Sequence, residues 1–468
     1  MSGGVCAPVA AAPSSALSPG AQRARLAFVL LVGAAFAYGI LARVDVLAGP
    51  WYWKWPWRDL GLARTLGLLL PPLVPFLIAW RFVDRDPPSP RAACVALVLL
   101  TLTNFMLQVL ALMCHPRGIE FLRAIVISPV ATSYFSDAQA ITDVAAWLRN
   151  FHTAALGLHS ATHPPGPILY YYAWLKLLGP YAGAIAGGLF VGVIAALGVP
   201  VVYAFAGLWS PERRPRLVAG AMYALLPALI VFLPEFDQVY PIFAMLIAWA
   251  WVVASRGSLR AAVLLGATLL VASFFAYNLL VVGAFVALHA LYVLRRERGS
   301  AQAWARLVRV ALVAIAVPVA GYLALWLATG FDALRSVAHA MHEQNALQAT
   351  LDRPWWAGVL FAPFDFFLGA GMLVVPLLIL HLVRVAREFD LRRDDLVLST
   401  IALGTIAIVD VSGLLRAETA RIWLFLQPFA LVPAARELDR LGRGRVAVLL
   451  LQWFVAAVLL CRMIFINA

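Results

Sequence analysis

Apolar runs recur along this chain from one end to the other, each close to the ~20 residues that an α-helix needs to cross a ~30 Å hydrocarbon core. No other feature restricts the fold as strongly. A chain of 468 residues that is 63% hydrophobic and 13% charged lies far from a soluble domain, which is about half apolar and a quarter charged. A membrane barrel would show ten-residue segments alternating with polar positions, and these are absent. The expected fold is all-α, a polytopic bundle of about thirteen spans near 26–47, 60–82, 92–114, 182–209, 217–234, 239–255, 260–277, 279–294, 308–328, 357–383, 396–414, 422–434 and 446–461. Residues 26–468 then form a single transmembrane domain, with no separate soluble unit.

The first 25 residues, rich in Ala, Pro, Ser and Gly, are expected to be a disordered cytoplasmic tail. They lack the charged start and short apolar core of a signal peptide, and Arg23 and Arg25 lead into the first span. The net charge of +13 does not point to nucleic acid. The arginines cluster between spans, so the bias of basic residues towards cytoplasmic loops accounts for them. The four cysteines (Cys6, Cys94, Cys114, Cys461) form neither a CxxC pair nor a disulfide framework.

Orientation turns on residues 164–179. Were they a full span, PERRPR (211–216) and every later basic loop would change sides. If they break or fold back, RGSLR (256–260), RRERGS (295–300), RVAREFDLRRDD (384–395) and ARELDRLGRGR (435–445) all face the cytoplasm with it, which the charge rule favours. A broken or re-entrant helix is therefore expected after HPPGP (163–167). Irregular backbone at membrane depth is tolerated only inside protein or along a cavity. Two long outer loops result, 115–163 and 329–356, with two short polar ones, EFDQ (235–238) and RAETAR (416–421).

The first long loop holds SYFSDAQAITDVAAWLRNF (133–151). Ser136 and Gln139 have capping-box spacing, so a helix is expected to start at Ser136. Ala140, Ile141, Val144 and Leu148 then share its apolar face. Asp137 lies on that stripe and Asp143 does not. An acid in a first turn is common for its favourable dipole interaction alone. Here it is also a candidate carboxylate base at the membrane surface.

YFSDA (134–138) and THPPGPILYYYAWLKLLG (162–179) resemble the membrane-embedded GT-C glycosyltransferases, in particular the branch of protein O-mannosyltransferases and aminoarabinose transferases. In that superfamily an aspartate in the first large outer loop is catalytic, and in that branch a Pro-Pro segment with an aromatic, apolar continuation follows the loop. The likeness is good over about 120–180 and architectural elsewhere. The acid here is single where many relatives carry an adjacent pair, and His163 stands where a lysine is usual.

His159 and His163, four apart, could alternatively line a proline turn or ligate zinc, but no HExxH accompanies them. Glu235 and Asp237 sit at a turn between spans, where acids are commonly just solvated. Arg416, Glu418 and Arg421 lie on the outer side against the charge rule. Glu418 and Arg421 can pair on one helical face, and Arg421 precedes IWLFL at a level suited to gripping a lipid phosphate. Asp365 and Asp410 lie near the outer ends of spans, where ionisable groups default to functional candidates. His339, His342 and Glu343 read as an interfacial helix. Gly442 and Gly444 lack the strand context of a nucleotide motif.

With no soluble nucleotide-binding domain in the sequence and the candidate groups facing outward, the expected donor is a polyprenyl-phosphate sugar, transferred to an acceptor hydroxyl on a glycan, lipid or protein. The resemblance implies inversion, and size and arginine bias point to a bacterial inner membrane. In that expectation Asp137 is the base. Arg421, with Arg416 or Lys176, stabilises the departing phosphate, Glu418 holds Arg421, and His163 orients the donor. No cofactor is required, although a divalent metal could take part. The rival readings are a transporter or lipid flippase, a ligase or polymerase of lipid-linked glycans, and a degenerate scaffold.

Overall fold

The computed structural model describes residues 17–85, 87–350, 353–416 and 418–466. Regular secondary structure among its described residues is helical, apart from one isolated bridge between Trp57 and Met463. Among them, nine helices are long and apolar enough to cross a membrane. The number is up to eleven if Leu62–Leu69 with Leu73–Val83 (bent by 52°) and Trp355–Ala370 with Val374–Glu388 (bent by 112°) each count as one span.

The count of thirteen is therefore too high. The expected span 422–434 is instead three pieces, Thr419–Ile422, a 3-10 turn at Leu424–Leu426 and Gln427–Asp439. The last of these carries Arg436 and Glu437, too polar and short to cross alone. The expected span 260–277 is the 17-residue helix Leu259–Phe275, which reaches only about 25 Å at 1.5 Å per residue. The sharp bend in the expected span 357–383 falls at Gly371, whose φ of 89° suits glycine alone.

Helices rising from one end of the bundle share a start signal. Ser18, Ser89, Ser258 and Ser300 each accept the N–H three residues on, from Ala21, Ala92, Ala261 and Ala303, satisfying one of the orphan donors of a helix N-terminus. The first helix, Pro19–Leu41, thus begins inside the stretch expected to be disordered, and Arg25 pairs with Glu437 at 3.7 Å. Residues 1–16, including Cys6, lie outside the described residues.

Residues 164–179 fold back. Pro164, Pro165 and Pro167 do not prevent helix; they sit where the helix Gly166–Ala196 starts, a position that lacks a partner for its N–H in any case. At Gly179 the backbone turns to φ 76°, ψ 177°, followed by Pro180. The Tyr170 hydroxyl donates to Gly187 O at 2.7 Å. Along a straight helix those residues would be about 25 Å apart, so the two arms form an antiparallel hairpin. A Cβ on Gly183 would approach Trp174 O to 2.5 Å, which shows how closely the arms pack.

Because of this reversal the basic loops converge on one end. There Arg214 meets Asp439 at 3.0 Å, Arg445 meets Asp84 at 2.7 Å, Arg384 meets Glu437 at 2.7 Å and Arg436 meets Asp395 at 2.7 Å. The opposite end gathers residues 43–60, the loop 115–163, the turn 235–238, residues 353–355 and residues 413–416 and 418–423.

Candidate functional site

Arg421 is the hub of that opposite end. It lies on Thr419–Ile422, a single turn whose position is set from outside. The buried Asp365 carboxylate accepts Ala420 N–H at 3.0 Å and the Thr419 hydroxyl at 3.2 Å through Oδ2, and Trp55 Nε1–H at 2.6 Å through Oδ1. The preceding residue, Glu418, has φ 50°, a left-handed conformation costly for a side chain with a Cβ.

Three acids surround the guanidinium. Glu418 Oε2 lies 2.8 Å from Nη2, Glu235 Oε2 lies 3.4 Å from Nη1, and Asp237 Oδ2 lies 3.7 Å from Nε, an ion pair too long for a hydrogen bond. Glu235 and Asp237 are brought in by the tight 3-10 turn Phe236–Gln238 between two helices. One cation among three carboxylates leaves an excess of negative charge. Burial first, and then competition with Asp237 and Glu418 for the same arginine, pushes the Glu235 carboxyl up to about 8, so it holds a proton near neutral pH. Burial by itself would disfavour the charged Arg421, but the acids outweigh it and keep the guanidinium protonated.

The loop 115–163 closes over this cluster. Instead of one helix from Ser136 it forms two short ones, Tyr134–Gln139 and Val144–Arg149. Ser136 is not the cap, since its hydroxyl donates to Ser133 O at 2.8 Å. The break comes from Asp143, whose Oδ1 accepts Ala145 and Ala146 N–H and so starts the second helix itself. Ser133, with φ 55°, precedes the first helix, and its hydroxyl accepts Ser160 N–H at 2.9 Å. The two short helices that build the site, those of Asp137 and of Arg421, are thus each preceded by a strained non-glycine residue.

Tyr134 is buried, edge-on to His163 (5.6 Å between ring centres) and to Phe236 (5.7 Å). The half-buried Asp137 accepts Gly157 N–H at 3.0 Å through Oδ2, tying the loop's helix to the strand of chain that leads to the histidines. His163 Nδ1 lies 2.8 Å from His159 O. A carbonyl only accepts, so Nδ1 carries the proton and Nε2 of the neutral ring keeps its lone pair. Burial, with the nearby Arg421 charge, lowers both His159 and His163 to about 4.

Of the expected site residues the structure brings together Arg421, Glu418, Glu235 and Asp237, with His159 and His163 close enough to feel the Arg421 charge. Asp137 is one helical turn beyond Tyr134 on the same short helix. Lys176 is not part of the group. It is exposed near the tip of the hairpin, its ammonium 5.2 Å from the Tyr172 ring centre, ten residues along the helix from Gly166 and so about 15 Å away. The expected phosphate grip by Arg421 also needs correction, because its donors already face three carboxylates.

Arg416 is held differently. Its Nη1 donates to Arg353 O at 2.9 Å and its Nε to Gly413 O at 2.7 Å, while Arg353 Nη1 reaches Arg416 O at 3.4 Å and its guanidinium lies 5.0 Å from the Trp53 ring centre. Among the described residues neither forms an ion pair with a carboxylate. Sequence reasoning missed Arg353, although it shares the signal that marked Arg416, an arginine on the outer side against the charge bias. The role of Asp365 as the anchor of Arg421 was equally invisible. No protein-family model matches the chain, and no curated protein matches its sequence.

Proposed function

We propose that this chain is an integral-membrane glycosyltransferase of GT-C type, using a polyprenyl-phosphate sugar on the side opposite its basic end. The observation that supports the reading most is the convergence of an aspartate-bearing loop helix with a buried arginine–carboxylate cluster and two neutral histidines. All lie on short irregular elements held by a rigid bundle. Asp137 accepts the proton of the acceptor hydroxyl as its oxygen attacks the anomeric carbon. Asp137 is already oriented by Gly157 N–H, which leaves Oδ1 for the incoming proton.

Arg416 and Arg353 take the phosphate of the departing lipid, since bidentate donors without carboxylate partners are what a developing phosphate charge needs. The aromatic group of Trp51, Tyr52, Trp356 and Phe361 beside them suits the headgroup level of a membrane. Arg421 holds the cluster together, and His163 Nε2 offers an acceptor to a sugar hydroxyl. A divalent ion in this cluster would compete with Arg421 for Glu235, Asp237 and Glu418.

The test is transfer or hydrolysis by the purified protein in nanodiscs, offered a panel of polyprenyl-phosphate sugars and read by mass spectrometry, beside Asp137→Asn. Consumption of one donor by the native chain and not by the variant supports the class and the base together. A well-folded protein that consumes none of the donors sinks the reading in favour of a transporter or a ligase acting on diphosphate-linked glycans.

A further inference from the structure

The basic end holds a cavity that the glycosyltransferase reading does not use. Its volume is about 440 Å³, within the range of about 300–1,000 Å³ typical of small-molecule sites. Four prolines, Pro87, Pro88, Pro211 and Pro215, form part of its wall. They stiffen the rim and supply no N–H donors, so the polarity of the cavity comes from side chains. Among the described residues six of the thirteen that line it are arginine and two, Glu212 and Asp439, are acids.

Among the described residues, several of the acids that face these arginines are shared. Arg384 and Arg440 share one carboxylate, Glu437, which also faces Arg25. Arg436 shares Asp395 with Arg393. Asp439 serves both Arg214 and Arg445. Glu212 accepts the Ser210 hydroxyl. Among the described residues Arg213 reaches Pro88 O, at 3.4 Å. Arg436 Nη1 is buried with no acceptor, which is costly for a charged donor unless something in the cavity accepts from it. Crowded guanidinium groups, with spare donors on Arg213 and Arg436, in a stiff cleft between helices, match the planar recognition of phosphate oxygens.

We propose that this cavity is a binding site for a phosphate group, carried by the headgroup of an anionic phospholipid in the leaflet at the basic end. Its position where spans emerge, and its arginine lining, fit the way basic pockets between membrane helices hold anionic headgroups. The site is independent of the chemistry assigned to the opposite end.

The experiment is native mass spectrometry of the full-length protein in detergent, titrated separately with phosphatidylglycerol, phosphatidylcholine and inorganic pyrophosphate. Phosphatidylglycerol should bind at least about tenfold more tightly than phosphatidylcholine. Arg213→Gln and Arg436→Gln should each weaken it about tenfold, the effect of one charged hydrogen bond, while Arg295→Gln, outside the cavity, should not. Arg436 also holds Asp395, so Arg213→Gln decides the matter if Arg436→Gln folds poorly. Pyrophosphate that binds and is lost with the same variants, without a preference among the lipids, would keep the phosphate site and overturn its lipid source. Equal binding of the two lipids with no binding of pyrophosphate, or affinity unchanged in Arg213→Gln, would overturn the proposal.

Discussion

The Asp365 carboxylate accepts the backbone N–H of Ala420 at 3.0 Å, and this contact places the guanidinium of the next residue, Arg421, among its three acids. Thr419–Ile422 is too short to hold itself in position, because a single helical turn fixes several dihedrals for one hydrogen bond. Asp365→Asn must present an amide N–H to either Trp55 Nε1 or the Thr419–Ala420 donors, so one buried donor loses its acceptor. We expect a loss of about 1–3 kcal/mol of stability, read as a lowered thermal midpoint in detergent, together with weaker donor binding.

Removing Arg421 leaves Glu418 and Asp237 without their cation. Arg421→Ala should cost about 3–5 kcal/mol, as breaking one side of a buried ion pair does. Adding Glu418→Gln, which removes the carboxylate nearest the guanidinium, should recover part of the loss, because a neutral amide no longer needs that cation. Denaturation of the single and double variants gives the coupling. Equal stability of the two would mean that the cluster does not act as a unit.

Asp137→Asn keeps an oxygen for Gly157 N–H and should fold normally, yet it cannot take a proton. A fall in turnover of about 10²–10⁴-fold is expected for loss of a general base, measured with the lipid donor found in the panel. Near-native turnover would remove Asp137 from the reaction.

Gly157 tests the same loop sterically. A Cβ there would lie 2.5 Å from Ser133 Cβ and 3.4 Å from Asp137 Oδ2, and Ser133 is fixed by Ser160. Gly157→Ala should therefore push the Asp137 helix away from the histidines and reduce turnover while leaving the bundle's helical content unchanged by circular dichroism. Unaltered turnover would show that the loop accommodates the methyl group.

Buried histidines and Glu235 should make stability depend on pH with opposite signs. His159 and His163 titrate near 4 in the folded chain and near 6.5 when unfolded. Between those values the unfolded state binds more protons, and stability rises with pH. Glu235 reverses the sign. Folded, it keeps its proton to about 8, whereas unfolded it loses it near 4.3, so its contribution declines as pH rises across that window. Above about 6.5 the histidines no longer contribute, so thermal midpoints should fall between about 6.5 and 8 as Glu235 ionises. Glu235→Gln should abolish the decline between about 6.5 and 8. A decline that persists in the variant would assign it to another group.

Much of the fold could be read from residue order alone. Recurrent apolar length marks membrane helices, and basic clustering separates the two ends. The Pro-Pro-Gly-Pro run and Gly179–Pro180 mark where the chain reverses. These signals are local, because hydrophobic length, charge bias and proline geometry act within a turn or a span. The spans that proved shorter or bent, 260–277, 357–383 and 422–434, are those where hydropathy is continuous but helix geometry is not.

The site belongs to the tertiary structure. Arg421, Glu235, Tyr134, His159 and Asp365 come from five separate segments, most of them a single turn long, and no periodicity can reveal a neighbour that lies across the bundle. Sequence spacing pairs Glu418 with Arg421. Only packing adds Glu235 and Asp237 on the other faces of the guanidinium, which makes Arg421 the hub of an ion cluster. Whether an arginine is available to a ligand depends on how many carboxylates the fold has already placed against it.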